Sequence, residues 1–126
     1  MVNINFSKLK KPFVIAEIGI NHSGNLKKAF KLIDAAKNNG ANAVKFQTYI
    51  TEKRVKDKKI KIYKILKKSE LSFNDFIKIN NYFKKNKITF FSTPFDIESV
   101  DFLESINVPF YKIASFDISN YQLINR

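Results

Sequence analysis

"FVIAEIGINHSGNLKKAFKLIDAAKNNGANAVKFQTY", from Phe13 to Tyr49, decides the fold. It opens on an apolar run, Phe13 to Glu17, rich in the β-branched and aromatic residues that suit a buried, pleated surface. A short turn containing Gly19 and Gly24 follows, and then Leu26, Ala29, Phe30, Ile33 and Ala36 recur at the spacing of one helical face. Asn25 stands where an N-cap is needed, and Gly40 where the helix must stop. A second apolar run, Ala43 to Gln47, completes a strand, helix, strand unit. Such a unit joins parallel strands through a right-handed crossover.

Outward from this unit the pattern repeats. Further strand-like runs occupy Ile88 to Thr93 and Phe110 to Ser115. Ser72 and Asp75 have capping-box spacing and open a helix with Phe73, Phe76, Ile77 and Phe83 on one face. Another helix is predicted from about Asp96 to Ile106, with Ile97, Val100 and Leu103 as its apolar stripe and Pro109 just beyond its end. The lysine-rich stretch Thr51 to Lys68 reads as a loop followed by a short helix around Ile62, Ile65 and Leu66. After Ser115, Ser119 is placed to cap one more helix, which the chain cuts short. The order β-α-β-α-β-α-β defines an α/β class with a parallel sheet. The cut helix leads to the expectation that residues 1–126 are the N-terminal part of a larger, truncated domain.

Composition narrows the function classes. With 44% hydrophobic and 14% aromatic residues, the chain has what a folded core requires. There is no cysteine, so disulfides and thiolate metal sites are excluded, and a reducing cytoplasmic location is the expectation. The opening "MVNINFSKLKK" lacks the apolar centre of a signal peptide, and no apolar run approaches the roughly 20 residues of a membrane helix. The net charge of +12 raises the alternative of a basic module that binds a polyanion through Lys53 to Lys68. The lysines accompany abundant Asn, Ile and Phe along the whole chain, and are read instead as a solvated surface, with neither nucleic acid nor membrane as a partner.

The strand ends carry the chemistry. Strands covered on both faces are ordinarily apolar, yet Glu17, Lys45, Gln47, Ser92, Thr93, Lys112 and Ser115 sit at or near the carboxyl ends of these runs. In α/β sheets and barrels those ends form the ligand-binding rim. Two lysines facing one glutamate leave surplus positive charge, which an anionic ligand such as a phosphate or carboxylate would balance. A structural Lys45–Glu17 ion pair, with Lys112 extending outward, is the competing account. His22 is a lone histidine and reads as a hydrogen-bonded turn residue more readily than as a metal ligand. Neither a dinucleotide fingerprint nor a phosphate loop occurs. The tyrosines are dispersed rather than arranged as a base-stacking platform.

In order along the chain, "AEIGINHSGN", "AFKLIDAAKNNGANAVKFQTY", "YKILKKSELS", "FFSTPFD" and "YKIASFDISN" resemble the successive motifs of the sialic acid synthase family, which includes legionaminic and pseudaminic acid synthases. The resemblance implies a (β/α)8 barrel of the triosephosphate isomerase type, of which this chain would supply about the first four β/α units. It implies condensation of phosphoenolpyruvate with an N-acylated hexosamine such as N-acetylmannosamine, with release of phosphate. A homodimer, a divalent metal (Mn or Mg) bound by histidines beyond Arg126, and a C-terminal antifreeze-like domain not present here are implied as well.

Residue by residue, Glu17 matches the family's catalytic glutamate. Lys45, Thr93, Lys112 and Ser115 match the residues expected to hold phosphoenolpyruvate. Gln47, Asp117, Asn21 and His22 match positions on the sugar side of the pocket. A related synthase acting on a sugar phosphate aldehyde is a further alternative, and no second phosphate site for it is legible. The fragment alone is expected to be inactive.

Overall fold

The computed structural model of the protein describes residues 6–126; the start of the N-terminal stretch, residues 1–5, lies outside the described residues. Three parallel strands, β1 (Ile15–Glu17), β2 (Ala43–Thr48) and β3 (Thr89–Pro94), form one sheet in that order. Their register sets Glu17 beside Lys45, Lys45 beside Phe91, and Gln47 beside Thr93. Between β1 and β2 runs α1 (Leu26–Asn38), whose first turn is closed by Asn25 Oδ1 accepting from the Lys28 amide at 3.0 Å. Gly40, at φ 82°, takes the left-handed turn that ends this unit.

The lysine-rich connection between β2 and β3 is more ordered than its composition suggests. It begins at once as the short helix α2 (Thr51–Arg54), then forms α3 (Lys61–Ser69) and leads into α4 (Phe73–Asn86). Thr51 N donates to Glu70 Oε2 at 3.0 Å, and Lys67 Nζ reaches Glu52 at 3.0 Å, so the two ends of the insert are tied together. The predicted capping box of α4 is present in both directions between Ser72 and Asp75. After β3, α5 (Ile97–Ser105) is capped by Asp96, whose carboxylate accepts from the Ser99 amide at 2.8 Å.

Two expectations are corrected at the end of the chain. The run Phe110 to Ser115 does not form a full strand: it makes a single parallel bridge, Tyr111 to Ser92, with Lys112 N donating to Ser92 O at 3.1 Å. Pro109 has no amide hydrogen to extend the ladder backward, and among the described residues no strand lies on the outer side of this run. The chain turns away into a 3-10 turn at Ser115–Asp117. The last helix, α6 (Tyr121–Asn125), is capped by Asn120 rather than Ser119, because Asn120 Oδ1 is the oxygen that meets the Leu123 amide, at 3.3 Å.

Alternation along the strands makes the sheet two-sided. Ile18, Val44, Phe46 and Phe90 face the helices and join Ala29, Ile33, Phe76, Ile79, Phe83 and Leu103 in one buried core. Phe46 sits at its centre, with edge-on contacts to Phe76, Phe83 and Phe90 at 5.8–6.4 Å. The opposite face carries Glu17, Lys45, Gln47, Phe91 and Thr93. The protein is therefore α/β, with helices on one face of a parallel sheet and a polar face opposite, the arrangement expected of one part of a (β/α)8 barrel.

Candidate active site

At the carboxyl end of the sheet, Lys45 is the central charge. Its side chain is 11% exposed and its ammonium lies 2.7 Å from Glu17 Oε2 and 3.1 Å from Thr93 Oγ1. Three adjacent strands thus converge on one cation. Glu17 is half open, at 54% exposure, so one side of the pair faces solvent. The ion pair that sequence reasoning held as the competing account is real, but it leaves the carboxylate accessible.

Gln47 lies one pleat further along β2. A Cβ on Gly19 would come within 3.0 Å of Gln47 Nε2 and 3.1 Å of Glu17 Oε1, so a residue with no side chain lets both polar groups close over the end of β1. Arg54, from α2, donates through Nη1 to Gln47 Oε1 at 3.2 Å. Its guanidinium stacks 3.6 Å from the centre of the Phe95 ring and 5.1 Å from that of Tyr49. Burial pushes the Arg54 pKa below its ordinary value, while Tyr49 and Asp117 act in the opposite sense. Burial also raises the Tyr49 phenol, to about 12; its hydroxyl donates to the Leu66 carbonyl at 3.0 Å.

Asp117 is buried. One carboxylate oxygen, Oδ1, receives a long hydrogen bond of 3.4 Å from Asn120, and Oδ2 has no partner. A buried acceptor without a partner is costly, so a hydrogen-bond donor meeting Oδ2 would be stabilising. A cleft of about 580 Å³ lined by Lys53, Phe95, Asp96, Glu98, Asn120 and Gln122 shares Phe95 with this cluster.

The remaining candidates are placed differently. Lys112 and Ser115 are exposed on the segment after the Tyr111 bridge, and Lys112 Nζ donates to the Ile113 carbonyl at 2.5 Å rather than to the Lys45 cluster. Asn21 is exposed in the turn after β1. His22 does not stand on a pocket rim, and that expectation is corrected. It is 1% exposed, its ring packs 5.8 Å from Phe46, Nδ1 accepts from the Gly24 amide at 3.1 Å, and Nε2 lies 3.1 Å from the Gly19 carbonyl. The amide at Nδ1 leaves the proton on Nε2, so a neutral imidazole organises the turn. Burial lowers its pKa from 6.5. Among the described residues no group of three or more His, Cys, Asp or Glu side chains is placed to hold a metal ion.

Residues 32–126 match the NeuB family. The chain belongs to the NeuB family. NeuB relatives include an uncharacterized protein of Methanocaldococcus jannaschii, 43% identical over 114 residues, covering 90% of this chain and 34% of the relative. The N,N'-diacetyllegionaminic acid synthase of Campylobacter jejuni is 34% identical, with 94% of this chain and 39% of that protein covered. Among solved structures, the N-acetylneuraminic acid (sialic acid) synthetase of Leptospira borgpetersenii superposes with a TM-score of 0.84 at 40% identity, over 89% of this chain and 39% of that one. The chain therefore spans between a third and two fifths of the length of these NeuB relatives.

From the sequence, Tyr49 reads as core or rim packing, and Arg54 and Phe95 carry no evident site role. Arg54 lies in a lysine-rich stretch that composition marks as solvated surface, and its partners come from β2 and from the end of β3. A signal was nonetheless present: the chain's arginines are Arg54 and Arg126 alone, against a background of lysine. An arginine in such a chain marks a place where a flat, forked donor is needed.

Proposed function

We propose that this chain forms the phosphoenolpyruvate-binding side of a nonulosonic acid synthase. The observation that carries the proposal is the convergence of Glu17, Lys45 and Thr93, from three neighbouring parallel strands, in a member of the NeuB family. A buried ammonium with an accessible carboxylate and a hydroxyl beside it suits an anionic donor whose carbon must be handled by an acid or base.

In this scheme Lys45 and Thr93 hold a phosphate or carboxylate oxygen of phosphoenolpyruvate, with Lys112 and Ser115 closing from the neighbouring segment. Gln47 and Asp117 face the N-acyl hexosamine, and Asn21 borders the turn. C3 of phosphoenolpyruvate attacks the sugar aldehyde, water adds at C2, and the tetrahedral intermediate expels phosphate by C–O cleavage. Glu17 transfers protons to and from these oxygens. Both reactants would lie on one face of the sheet, which is the condition for their encounter. Any divalent ion would be held by ligands outside these residues, and a homodimer and a cytoplasmic location belong to the same proposal.

The test is a phosphate-release assay on the complete barrel carrying this chain, with phosphoenolpyruvate, N-acetylmannosamine and Mn²⁺, and with legionaminic and pseudaminic acid precursors in parallel. Glu17→Gln is expected to lower kcat by a factor of roughly 100 or more, and Lys45→Met to raise the KM for phosphoenolpyruvate. Absence of sugar-dependent release with every acceptor would sink the proposal.

A further inference from the structure

Gln47 is a primary amide, and its value to a ligand depends on which end it offers. Arg54 has only N–H donors, so the Gln47 atom 3.2 Å from Nη1 must be the oxygen. The nitrogen is thereby turned toward Gly19, beside Glu17 Oε1. Arg54 is itself held against Phe95 and Tyr49, two rings that a lysine ammonium could not match with a flat face. Its charge is in the field of Asp117, whose free oxygen points to no other protein donor.

We infer that Arg54 is a positioning residue that locks the Gln47 carboxamide with its N–H groups on the side of Gly19 and the Glu17 carboxylate, so that the site selects an acceptor presenting a carbonyl or hydroxyl oxygen beside Glu17. This deepens the synthase proposal and rests on it for the identity of the acceptor, but the Arg54–Gln47 coupling stands on geometry alone. The arginine contributes no atom to the reacting sugar; it determines which end of Gln47 the sugar meets. An acceptor with a donor group at that position would find another donor there and be rejected.

The chain supplies a clean spectroscopic probe, because its glutamines are Gln47 and the exposed Gln122 alone. Side-chain amide ¹⁵N spectra of the glutamine-labelled chain are expected to show Gln47 displaced from Gln122 and slow to exchange with water. Arg54→Ala and Arg54→Lys are both expected to shift Gln47 toward Gln122 and accelerate its exchange. In the complete barrel, Arg54→Ala is expected to raise the KM for the N-acyl sugar roughly tenfold, the scale of one hydrogen bond to a charged group, with the KM for phosphoenolpyruvate unchanged.

An unaltered Gln47 resonance in Arg54→Ala would overturn the inference. So would a freed Gln47 with an unchanged sugar KM, or a parallel loss in both KM values together with a fall in Tm, which would make Arg54 ordinary scaffold. If the wild-type barrel turns over no acceptor at all, the synthase proposal fails, and the Gln47 spectrum alone decides whether Arg54 positions the amide.

Discussion

His22 shows at the scale of one residue how burial reassigns a side chain that looks chemical. A buried imidazole, accepting from Gly24 and donating to Gly19, is retained in its neutral form. Its folded pKa lies below the unfolded value of 6.5, so the unfolded chain binds more protons between the two values. Stability from this residue is complete above pH 6.5 and is lost as pH falls through the folded pKa. Thermal melts are expected to show Tm declining on acidification below pH 6.5, with that part of the slope removed in His22→Gln. The assignment is direct because the chain holds a single histidine. Phe46 provides a second residue-scale expectation: Phe46→Ala should cost about 3–5 kcal/mol in denaturant unfolding, since the ring it removes touches α4 and β3 together.

Among elements, the turn between β1 and α1 is closely confined at Gly24. Gly24 has φ 70°, and a Cβ there would lie 2.4 Å from the Lys68 carbonyl oxygen, which is backbone at the end of α3. Gly40 has φ 82° with nothing within 4 Å. Alanine at position 40 is expected to cost about 1 kcal/mol from left-handed strain alone, whereas Gly24→Ala must also displace α3 and is expected to cost at least twice that in urea unfolding. The comparison separates conformational strain from steric collision.

Helices announced by their caps were legible: Asn25 and the Ser72–Asp75 pair describe local hydrogen bonds that the chain makes with its own neighbours. The start of α2 was not, because Thr51 has no capping side chain before it and its amide is met by Glu70 from the far end of the insert. The run at Phe110 read as a full strand on composition, but a ladder needs a partner that keeps pace, and Ser92 meets it only once. At the site, Glu17, Lys45 and Thr93 were legible because strand ends share a rim. Arg54 was hidden because its meaning lies in the ring of Phe95, which only the folded chain brings beneath it.

For the molecule as a whole, the open sheet has consequences in solution. Val14 and Ile15 are 53% and 44% exposed at the β1 edge, and Phe116, Ile118 and Tyr121 are 68–74% exposed beyond β3. In an isolated 126-residue chain such edges recruit other strands. Sedimentation of the chain alone is expected to show concentration-dependent association, reduced in an Ile15→Lys, Ile118→Lys double variant. The same preparation is expected to show no synthase turnover, since one side of the pocket is all these residues offer. Turnover by the isolated chain would contradict this.

The contact between Glu17 and Lys45 carries a last implication. The glutamate already fills the place at the Lys45 ammonium that any other anion would have to take. If phosphoenolpyruvate binds Lys45 as proposed, its arrival and the liberation of the Glu17 carboxylate would be two sides of one exchange. On the proposed function, the carboxylate assigned to proton transfer would be freed by the same event that seats the donor, and until then the two charges neutralise each other.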